Sequence, residues 1–383
     1  MNHEGVVNPD GLRNWYVAVA NRENVPATVM VIGDSVSEGV ICTTPTYLNR
    51  WQYQLQTALR AAFPTAGVAS PGVGYMPALY ADTLIADDTT RSGAVDVLTQ
   101  WGLGLKCVTV TPAQTITWPS ITCERIRVWY GKSNYLSGGG KVLVDGVDQG
   151  VTLSSVGASN TDGYVWDSGS LGLGSHVVTL QGNTANRFFA DGVEFYTSSR
   201  DAAAGIRVYD AAHSGARSDT YLTAAADLGH WMSVATLKPR LVIMMLGIND
   251  WGNITPATYA SNMASMLSKV ATAEGAQAYS VLLALPYRPV KTNGATAADW
   301  AAYDAALRAL AVDNVAYLPL QPPWPQLYAN TANDLMYETA SPTHPKQAGH
   351  TALADLFAQA ITPPRPTVPA GTYLPSTAKA VLP

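Results

Sequence analysis

The sequence predicts an α/β protein whose parallel sheet is interrupted by an inserted β-sandwich. Near both ends of the chain, short apolar runs that end in small or polar turn residues alternate with amphipathic helical patterns, which is typical of a parallel sheet with crossover helices. Between them, from about 76 to 200, only short β-type runs occur, separated by glycine and asparagine or aspartate turns. Such a series of short strands indicates a sandwich.

The first part of the α/β pattern contains one strand and one helix. Residues 28–34 (TVMVIGD) form a short apolar run that ends in Gly-Asp, which predicts a buried strand. Residues 46–62 predict a helix, because apolar side chains recur at helical spacing from Leu48 to Leu59 and Pro64 ends the run. A strand followed by a helix is the expected start of an α/β sheet.

The second part alternates strands and helices from residue 206 onwards. The predicted strands cover 206–209, 241–250 with its terminal polar turn, 278–286 and 315–320. One predicted helix begins after the cap Thr255-Pro256. Two more cover 297–311 and 346–361. We therefore predict a discontinuous α/β domain made of residues 1–80 and 205–361. The inserted β-sandwich covers 85–200 and is expected to fold as a unit of its own, and 362–383 form a Pro-rich arm or linker.

Composition narrows the classes of function. The chain has 383 residues and a net charge of −5. It lacks the excess of basic residues that nucleic-acid-binding proteins carry, so we expect no nucleic-acid partner. No apolar stretch is long enough to cross a bilayer, and the N-terminus lacks the basic and apolar regions of a signal peptide. The three cysteines are Cys42, Cys107 and Cys123, and whether Cys107 and Cys123 pair is left open.

Four segments place reactive or donor groups where predicted strands end. Ser35 follows the first strand in VIGDSVSEG, and its own N–H can serve an oxyanion. Gly215 follows the second strand, where a glycine lets backbone approach a ligand closely. Asn249 follows the third strand in LGIND and can donate from its amide, and His344 precedes the last helix in SPTHPKQAGH. Groups at the carboxyl ends of parallel strands collect in one crevice.

Each of these signals also has a structural interpretation. Ser35 is a residue type that caps helices, and Asn249 and Asp250 are common in loops, where Asp250 would accept from backbone N–H groups. Asp34 and Asp250 are expected to support the site. His213 and His350 compete with His344 as the base, but His350 falls inside the predicted last helix and is expected to be structural.

Taken together, the order and spacing of the four segments resemble the blocks of the SGNH (GDSL-like) hydrolase family. The resemblance implies Ser35 as nucleophile and His344 as general base. It also implies an oxyanion hole made by the N–H groups of Ser35 and Gly215 and the amide of Asn249. It further implies a flavodoxin-like three-layer α/β/α fold, acyl transfer chemistry, and neither a cofactor nor a metal.

One position departs from the family pattern. The family has Asp three residues before the histidine, whereas this chain has Ser341. Disabling the acid of a triad costs about 10⁴ in kcat, so its loss matters. Three explanations stay open: a backbone carbonyl orients His344 in a dyad, Glu338 or Asp334 reaches in from the preceding loop, or the enzyme is weak or inactive.

The inserted segment resembles jelly-roll modules that bind carbohydrate. Its aromatic residues include candidates for stacking on sugar rings, although most aromatics in a sandwich belong to its core. These candidates are Trp118, Trp129, Tyr135, Tyr164 and Trp166. The opening segment LRNWYVAVANRENVPATVMVIGDS resembles the start of hydrolase modules in phage tail or tailspike-type proteins.

The sequence therefore predicts a serine esterase that removes acetyl groups from a cell-surface or capsular polysaccharide. The alternatives are a lipase or thioesterase on the same scaffold, and a catalytically weak glycan-binding adhesin, which the serine at position 341 favours. A virion-associated or otherwise extracellular site of action is expected. A homo-oligomer or a virion assembly is left open.

Overall fold

The computed structural model describes residues 5–92, 96–98, 101–134, 139–154, 156–159, 161–182, 188–288, 296–320, 337–338 and 341–364. The described α-helices are α1 Arg13–Ala20, α2 Ser35–Glu38, α3 Thr46–Asn49, α4 Trp51–Ala62, α5 Ser199–Ala203, α6 Ala224–Leu228, α7 His230–Leu237, α8 Pro256–Glu274, α9 Ala297–Leu310 and α10 Gln347–Ile361. The strands are β1 Ala27–Gly33, β2 Gly74–Pro77, β3 Thr90–Ser92, β4 Asp96–Leu98, β5 Cys107–Val110, β6 Thr115–Thr117, β7 Ile121–Cys123, β8 Arg125–Lys132, β9 Gly139–Val144, β10 Val147–Ser154, β11 Thr161–Asp167, β12 Gly174–His176, β13 Val178–Gly182, β14 Phe188–Tyr196, β15 Ile206–Asp210, β16 Leu241–Met245, β17 Ser280–Leu285, β18 Val315–Pro319, β19 Tyr337–Glu338 and β20 Ser341–Pro345. Short 3₁₀ helices cover Pro9–Leu12, Leu103–Leu105 and Thr220–Leu222.

A five-stranded parallel sheet forms the centre of the α/β part, in the order β15-β1-β16-β17-β18. Every residue of these strands is buried, so helices or loops cover both faces of the sheet. The strand order is that of a flavodoxin-like sheet, and its switch point lies beside β1. The structure confirms the predicted α/β class and parallel sheet.

The helices of this part pack in two groups. In one group, Trp51 of α4 stacks on Phe357 of α10 at 4.6 Å between ring centroids, and Trp15 of α1 donates its indole N–H to the carbonyl of Ile361 at 2.7 Å. In the other, Tyr259 of α8 stacks on Tyr303 of α9 at 4.2 Å, and α7 packs against α8. Large aromatic contacts therefore hold both groups of helices together.

We use the name β segment for residues 74–196. It forms two large antiparallel sheets, in the orders β10-β9-β13-β6-β3 and β11-β8-β14-β5-β4, and β2 pairs with β14. A further pair of antiparallel strands consists of β7 and β12. Apolar side chains such as Val128, Val142 and Phe188 form a second core that is separate from the core of the parallel sheet. The described residues of the segment contain no α-helix.

Several expectations for the β segment need correction. Trp118 and Trp129 are buried, with 1% and 4% of their surface exposed, so they are core residues and not free to stack on a sugar. The Trp129 indole N–H donates to the Glu194 carboxylate. Tyr164 and Trp166 are half-buried, and Tyr135 lies outside the described residues. All three cysteines are free thiols.

The predicted elements mostly lie where the sequence places them, with one division. The helix expected over 46–62 is two helices, α3 and α4, because Arg50 between them has extended backbone. No helix of the described residues is both long and apolar enough to span a bilayer. Of the predicted C-terminal arm, residues 365–383 lie outside the described residues.

Candidate active site

The crevice at the carboxyl ends of β1, β15 and β16 gathers the predicted reactive groups. Ser35 is the first residue of α2 and follows β1 after Asp34. The imidazole Nε2 of His344 lies 2.8 Å from the Ser35 hydroxyl, although 308 residues separate the two positions. This is hydrogen-bond distance, so the ring can take the hydroxyl proton directly.

Asp34 positions the serine. It is the N-cap of α2, and its Oδ1 accepts from the Val36 N–H at 3.0 Å. The first N–H groups of a helix have no acceptor within the helix, so the Ser35 N–H at the start of α2 is available to a ligand. Gly33 fits tightly before this turn, since a Cβ there would collide with the Ser37 hydroxyl.

Gly215 lies in a tight turn after β15. The Ala216 N–H donates to the His213 carbonyl at 3.0 Å, and Gly215 has a φ of +78°, as the third position of a type II turn requires. A Cβ at Gly215 would meet no atom within 4 Å. Within the described part of the chain, no acceptor takes the Gly215 N–H. This group can therefore donate to a bound oxyanion.

Asn249 and Asp250 join the loop after β16 to the turn of Gly215. The Asn249 amide donates one hydrogen to the Ala216 carbonyl at 3.1 Å, which fixes the amide and leaves its second hydrogen for another acceptor. Asp250 is buried and accepts from the N–H and hydroxyl of Ser218 at 2.8 and 2.6 Å. The geometry gives Asp250 a structural role and places Asn249 beside the turn.

Glu38 connects the serine helix to the turn of Gly215. This fully buried carboxylate ends α2, and its Oε2 accepts from the Ser214 N–H at 2.7 Å. Its Oε1 accepts from the Ala81 N–H at 2.7 Å and from the Lys106 ammonium at 2.9 Å. Burial raises the pKa of Glu38, and the charge of Lys106 opposes that rise.

Asp82 brings a second carboxylate to the same turn. Its Oδ2 accepts from the Ser214 hydroxyl at 2.6 Å, and its Oδ1 accepts from the Leu84 N–H at 2.8 Å. Burial lowers the pKa of His344, and the negative charge of Asp82 raises it. His344 is therefore held in its neutral, proton-accepting form near neutral pH, beside a charge that stabilises its protonated form.

The acid side of the site is described only in part. His344 lies in β20, which pairs with β19, and the backbones of Glu338 and Ser341 are opposite each other in that pair. The side chains of Glu338 and Ser341, and the whole of Asp334, lie outside the described residues. The Tyr287 hydroxyl donates to the Thr343 carbonyl at 2.6 Å and so anchors the residue before His344.

The competing histidines occupy different positions. His213 lies with its Nδ1 3.1 Å from the Gly104 carbonyl, and burial together with the charge of Lys106 lowers its pKa to about 4. His350 is buried inside α10 with its Nε2 3.4 Å from the Val40 carbonyl. Neither has the contact with Ser35 that His344 has. Among the described residues, no group of three or more His, Cys, Asp or Glu side chains could hold a metal ion.

Sequence patterns did not single out Glu38, Asp82, Lys106 or Tyr287. Glu38 carried a weak signal, because it is the only charged residue between Ser35 and Asn49. The other three carried none, because they come from the 78–106 region and the end of β17, far in sequence from the serine. Only the folded chain brings them to the crevice.

Comparisons with known proteins identify the family and the fold of the chain. The model of the GDSL-like Lipase/Acylhydrolase family matches residues 155–352, just over half of the chain. That range contains Gly215, Asn249 and His344, whereas Ser35 lies before it.

A solved structure shares the fold. A peptidoglycan O-acetylesterase is similar with a TM-score of 0.64 and 13% identity, over 94% of this chain and 96% of that chain. A family two carbohydrate esterase from Cellvibrio japonicus is similar with a TM-score of 0.31 and 10% identity, over 74% of this chain and 95% of that chain. No curated protein sequence matches the chain significantly.

Proposed function

Because this chain belongs to the GDSL-like lipase/acylhydrolase family, we propose that it is a serine esterase that removes acetyl groups from a polysaccharide through Ser35 and His344. The contact of 2.8 Å between the His344 Nε2 and the Ser35 hydroxyl carries the proposal. It pairs a nucleophile with a base in the geometry that acyl transfer requires.

In the proposed mechanism, His344 takes the hydroxyl proton while the Ser35 oxygen attacks the ester carbonyl. The neutral ring is ready for this step, because burial lowers its pKa. The N–H groups of Ser35 and Gly215 and the free amide hydrogen of Asn249 stabilise the oxyanion. The imidazolium then protonates the leaving alcohol. Water repeats the attack on the acyl-enzyme, with His344 again as the base.

The position of the family's acid is proposed to be served by other groups. Tyr287 fixes the backbone at Thr343, and the charge of Asp82 lies near enough to raise the pKa of His344. A dyad supported in this way needs no carboxylate at position 341. Glu338 and Asp334 stay as the candidates that sequence suggests for direct contact with the ring.

The substrate class rests on two supports. We propose that the β segment, most of whose strands form two large antiparallel sheets, is an inserted jelly-roll domain that binds the glycan. A structure with the same fold is a peptidoglycan O-acetylesterase, which acts on an acetylated polymer by its name. Half-buried Tyr164 and Trp166 are the described aromatics that still qualify as sugar contacts.

The setting is also a proposal. An acetylated surface polymer is met outside the cell, and the opening segment resembles phage tail hydrolase modules, so we propose action from a virion or elsewhere outside the cell. Detecting the protein by mass spectrometry in purified virions or in culture supernatant would support this setting. Finding it only inside intact cells would contradict it.

The test of function is the Ser35→Ala variant assayed with p-nitrophenyl acetate and with an acetylated polysaccharide. We expect activity to fall by about 10⁴-fold or more, because loss of a triad nucleophile leaves only residual catalysis. Ser265→Ala, at an exposed serine of α8, serves as the matched control. Parent-like hydrolysis by Ser35→Ala would refute the proposal.

The same protein separates the alternatives. Faster hydrolysis of octanoyl than of acetyl esters would favour a lipase or thioesterase. Glycan binding without labelling of Ser35 by a fluorophosphonate probe would favour the adhesin.

A further inference from the structure

A buried cluster of charges lies beneath the proposed oxyanion hole and includes a residue of the β segment. Lys106 is 1% exposed, and its ammonium lies 2.9 Å from the Glu38 carboxylate and 2.7 Å from that of Asp210. Asp210 also binds the guanidinium of Arg50 at 2.5 Å. Two buried cations thus balance two buried carboxylates, and the charge of Lys106 serves both carboxylates.

The two carboxylates hold the turn of Gly215 from its two sides. Asp210 ends β15, and its Oδ1 accepts from the Ala212 N–H at 3.0 Å. Glu38 accepts from the Ser214 N–H at 2.7 Å, directly before Gly215. A shift of either carboxylate would move the backbone that carries the Gly215 N–H.

The chain around Lys106 packs on the same turn. A Cβ on Gly104 would meet the Ala211 carbonyl carbon and the Ala212 carbonyl oxygen at 3.0 Å, so this glycine lies directly against the backbone. Its carbonyl accepts from the His213 ring at 3.1 Å. The β segment therefore supplies a supporting wall of the turn as well as a charge.

We propose that Lys106 is a positioning residue of the esterase, holding the Gly215 turn through Glu38 and Asp210, so that the catalytic site is complete only with the β segment in place. This inference rests on the proposed function. Lys106 touches no reacting atom, and its effect on catalysis passes through the two carboxylates. Without its ammonium, two buried carboxylates would share the single charge of Arg50, an arrangement that a folded protein relieves by taking up a proton or by moving.

The experiment is the Lys106→Met variant of the full chain, which keeps most of the length of the side chain and removes its charge. We expect kcat for p-nitrophenyl acetate to fall by about 10²-fold, the scale of losing one oxyanion donor, with KM little changed. Fluorophosphonate labelling of Ser35 should slow in parallel, and Lys106→Arg should restore part of kcat. Lys141→Met is the control, because Lys141 makes a half-exposed ion pair with Asp148 in the same segment.

A second variant guards against loss of folding. Glu38→Gln/Lys106→Met removes one carboxylate together with the cation, so we expect it to fold and to remain at least tenfold less active than the parent. A folded Lys106→Met or double variant with parental kcat and labelling rate would overturn the inference alone. A parent that neither hydrolyses acetyl esters nor reacts with the probe would overturn the proposed function, and the inference with it.

Discussion

At the residue scale, His344 lies between two opposing influences on its basicity. Burial favours the neutral ring, which is the form that accepts the serine proton. The charge of Asp82 favours the imidazolium, which is the form that the transition state creates. The Ser214 hydroxyl and the Leu84 N–H donate hydrogen bonds to the Asp82 carboxylate and hold it in place. We therefore propose that a carboxylate far from position 341 supplies part of the charge stabilisation that the family's acid gives.

The first prediction tests this role with Asp82→Asn. The amide oxygen can still accept from Ser214, but the charge is gone, so the pKa of His344 should fall further. The acidic limb of kcat/KM against pH should then move to lower pH, because the neutral base persists to lower pH. Activity at neutral pH should fall by less than the roughly 10²–10⁴-fold that a general base supplies.

The control for this prediction is Asp148→Asn, at an exposed ion pair on the β segment. It should leave the profile unchanged. An Asp82→Asn enzyme whose acidic limb coincides with that of the parent would show that Asp82 does not act on His344.

At the element scale, α8 ends in an acidic residue whose negative charge is unfavourable at that end of the helix. Glu274 is the last residue of α8, where the helix dipole is negative, and it is buried. Its Oε2 accepts from Gln277 at 3.0 Å, whereas within the described residues Oε1 has no hydrogen-bond partner. Burial raises the pKa of Glu274 to about 8, although Arg240 and Lys238 oppose the rise.

The second prediction follows from that pKa. A carboxyl whose pKa is raised in the folded state stabilises the fold below its ordinary pKa, and this contribution is lost as the pH rises through the folded value. Glu274 should therefore make the protein less stable at pH 9 than at pH 5. Glu274→Gln should raise the free energy of unfolding at pH 9 by about 1 kcal/mol or more, since no buried charge remains. Urea unfolding at both pH values measures this, and an equal effect at both would contradict it.

The elements differ in how far sequence could predict them. The strands at 28–34 and 241–250 were clear, because strands buried on both faces are continuously apolar. The break between α3 and α4 was not, because the residue at the break, Arg50, is itself compatible with a helix. Its backbone leaves the helix where its side chain binds Asp210, which lies 160 residues away. No helix is predicted from the sequence at α1. None is predicted at α7 either, because its apolar residues do not form a clear apolar face of a helix.

The candidate site shows the same limit. Ser35, Gly215, Asn249 and His344 follow strands or precede a helix, so local patterns mark them. Lys106 and Asp82 have no local pattern, and their roles arise from contacts between distant segments. The aromatics Trp118 and Trp129 were misjudged for a related reason. Trp129 packs into the core of the parallel sheet and Trp118 into the core of the β segment, and both contacts involve residues distant in sequence.

At the scale of the whole molecule, the α/β part and the β segment are joined by packing contacts as well as by the chain. The core of the parallel sheet includes Leu103, Leu105 and Trp129 from the β segment. The helix α7 packs against β11, and Lys106 binds Glu38 beneath the candidate active site. The similarity to the peptidoglycan O-acetylesterase covers 94% of the chain and so takes in most of the β segment as well. These contacts argue against two independent units.

The last prediction concerns removal of the proposed inserted domain, with residues 85–200 replaced by a short glycine-serine linker. Pattern alone favours a soluble α/β remainder, since insertions usually leave from neighbouring points. The structure leads to the opposite expectation. The shortened chain would bury Glu38 and Asp210 with only Arg50 to balance them, and it would expose the core surface that Leu103, Leu105 and Trp129 cover. We expect it to be insoluble or to unfold without cooperativity, as circular dichroism during heating would show.

Adding Glu38→Gln to the shortened chain should not rescue it, because the exposed core remains. A shortened chain that melts cooperatively and reacts with a fluorophosphonate at the parental rate would establish the β segment as a separable module and remove Lys106 from the active site.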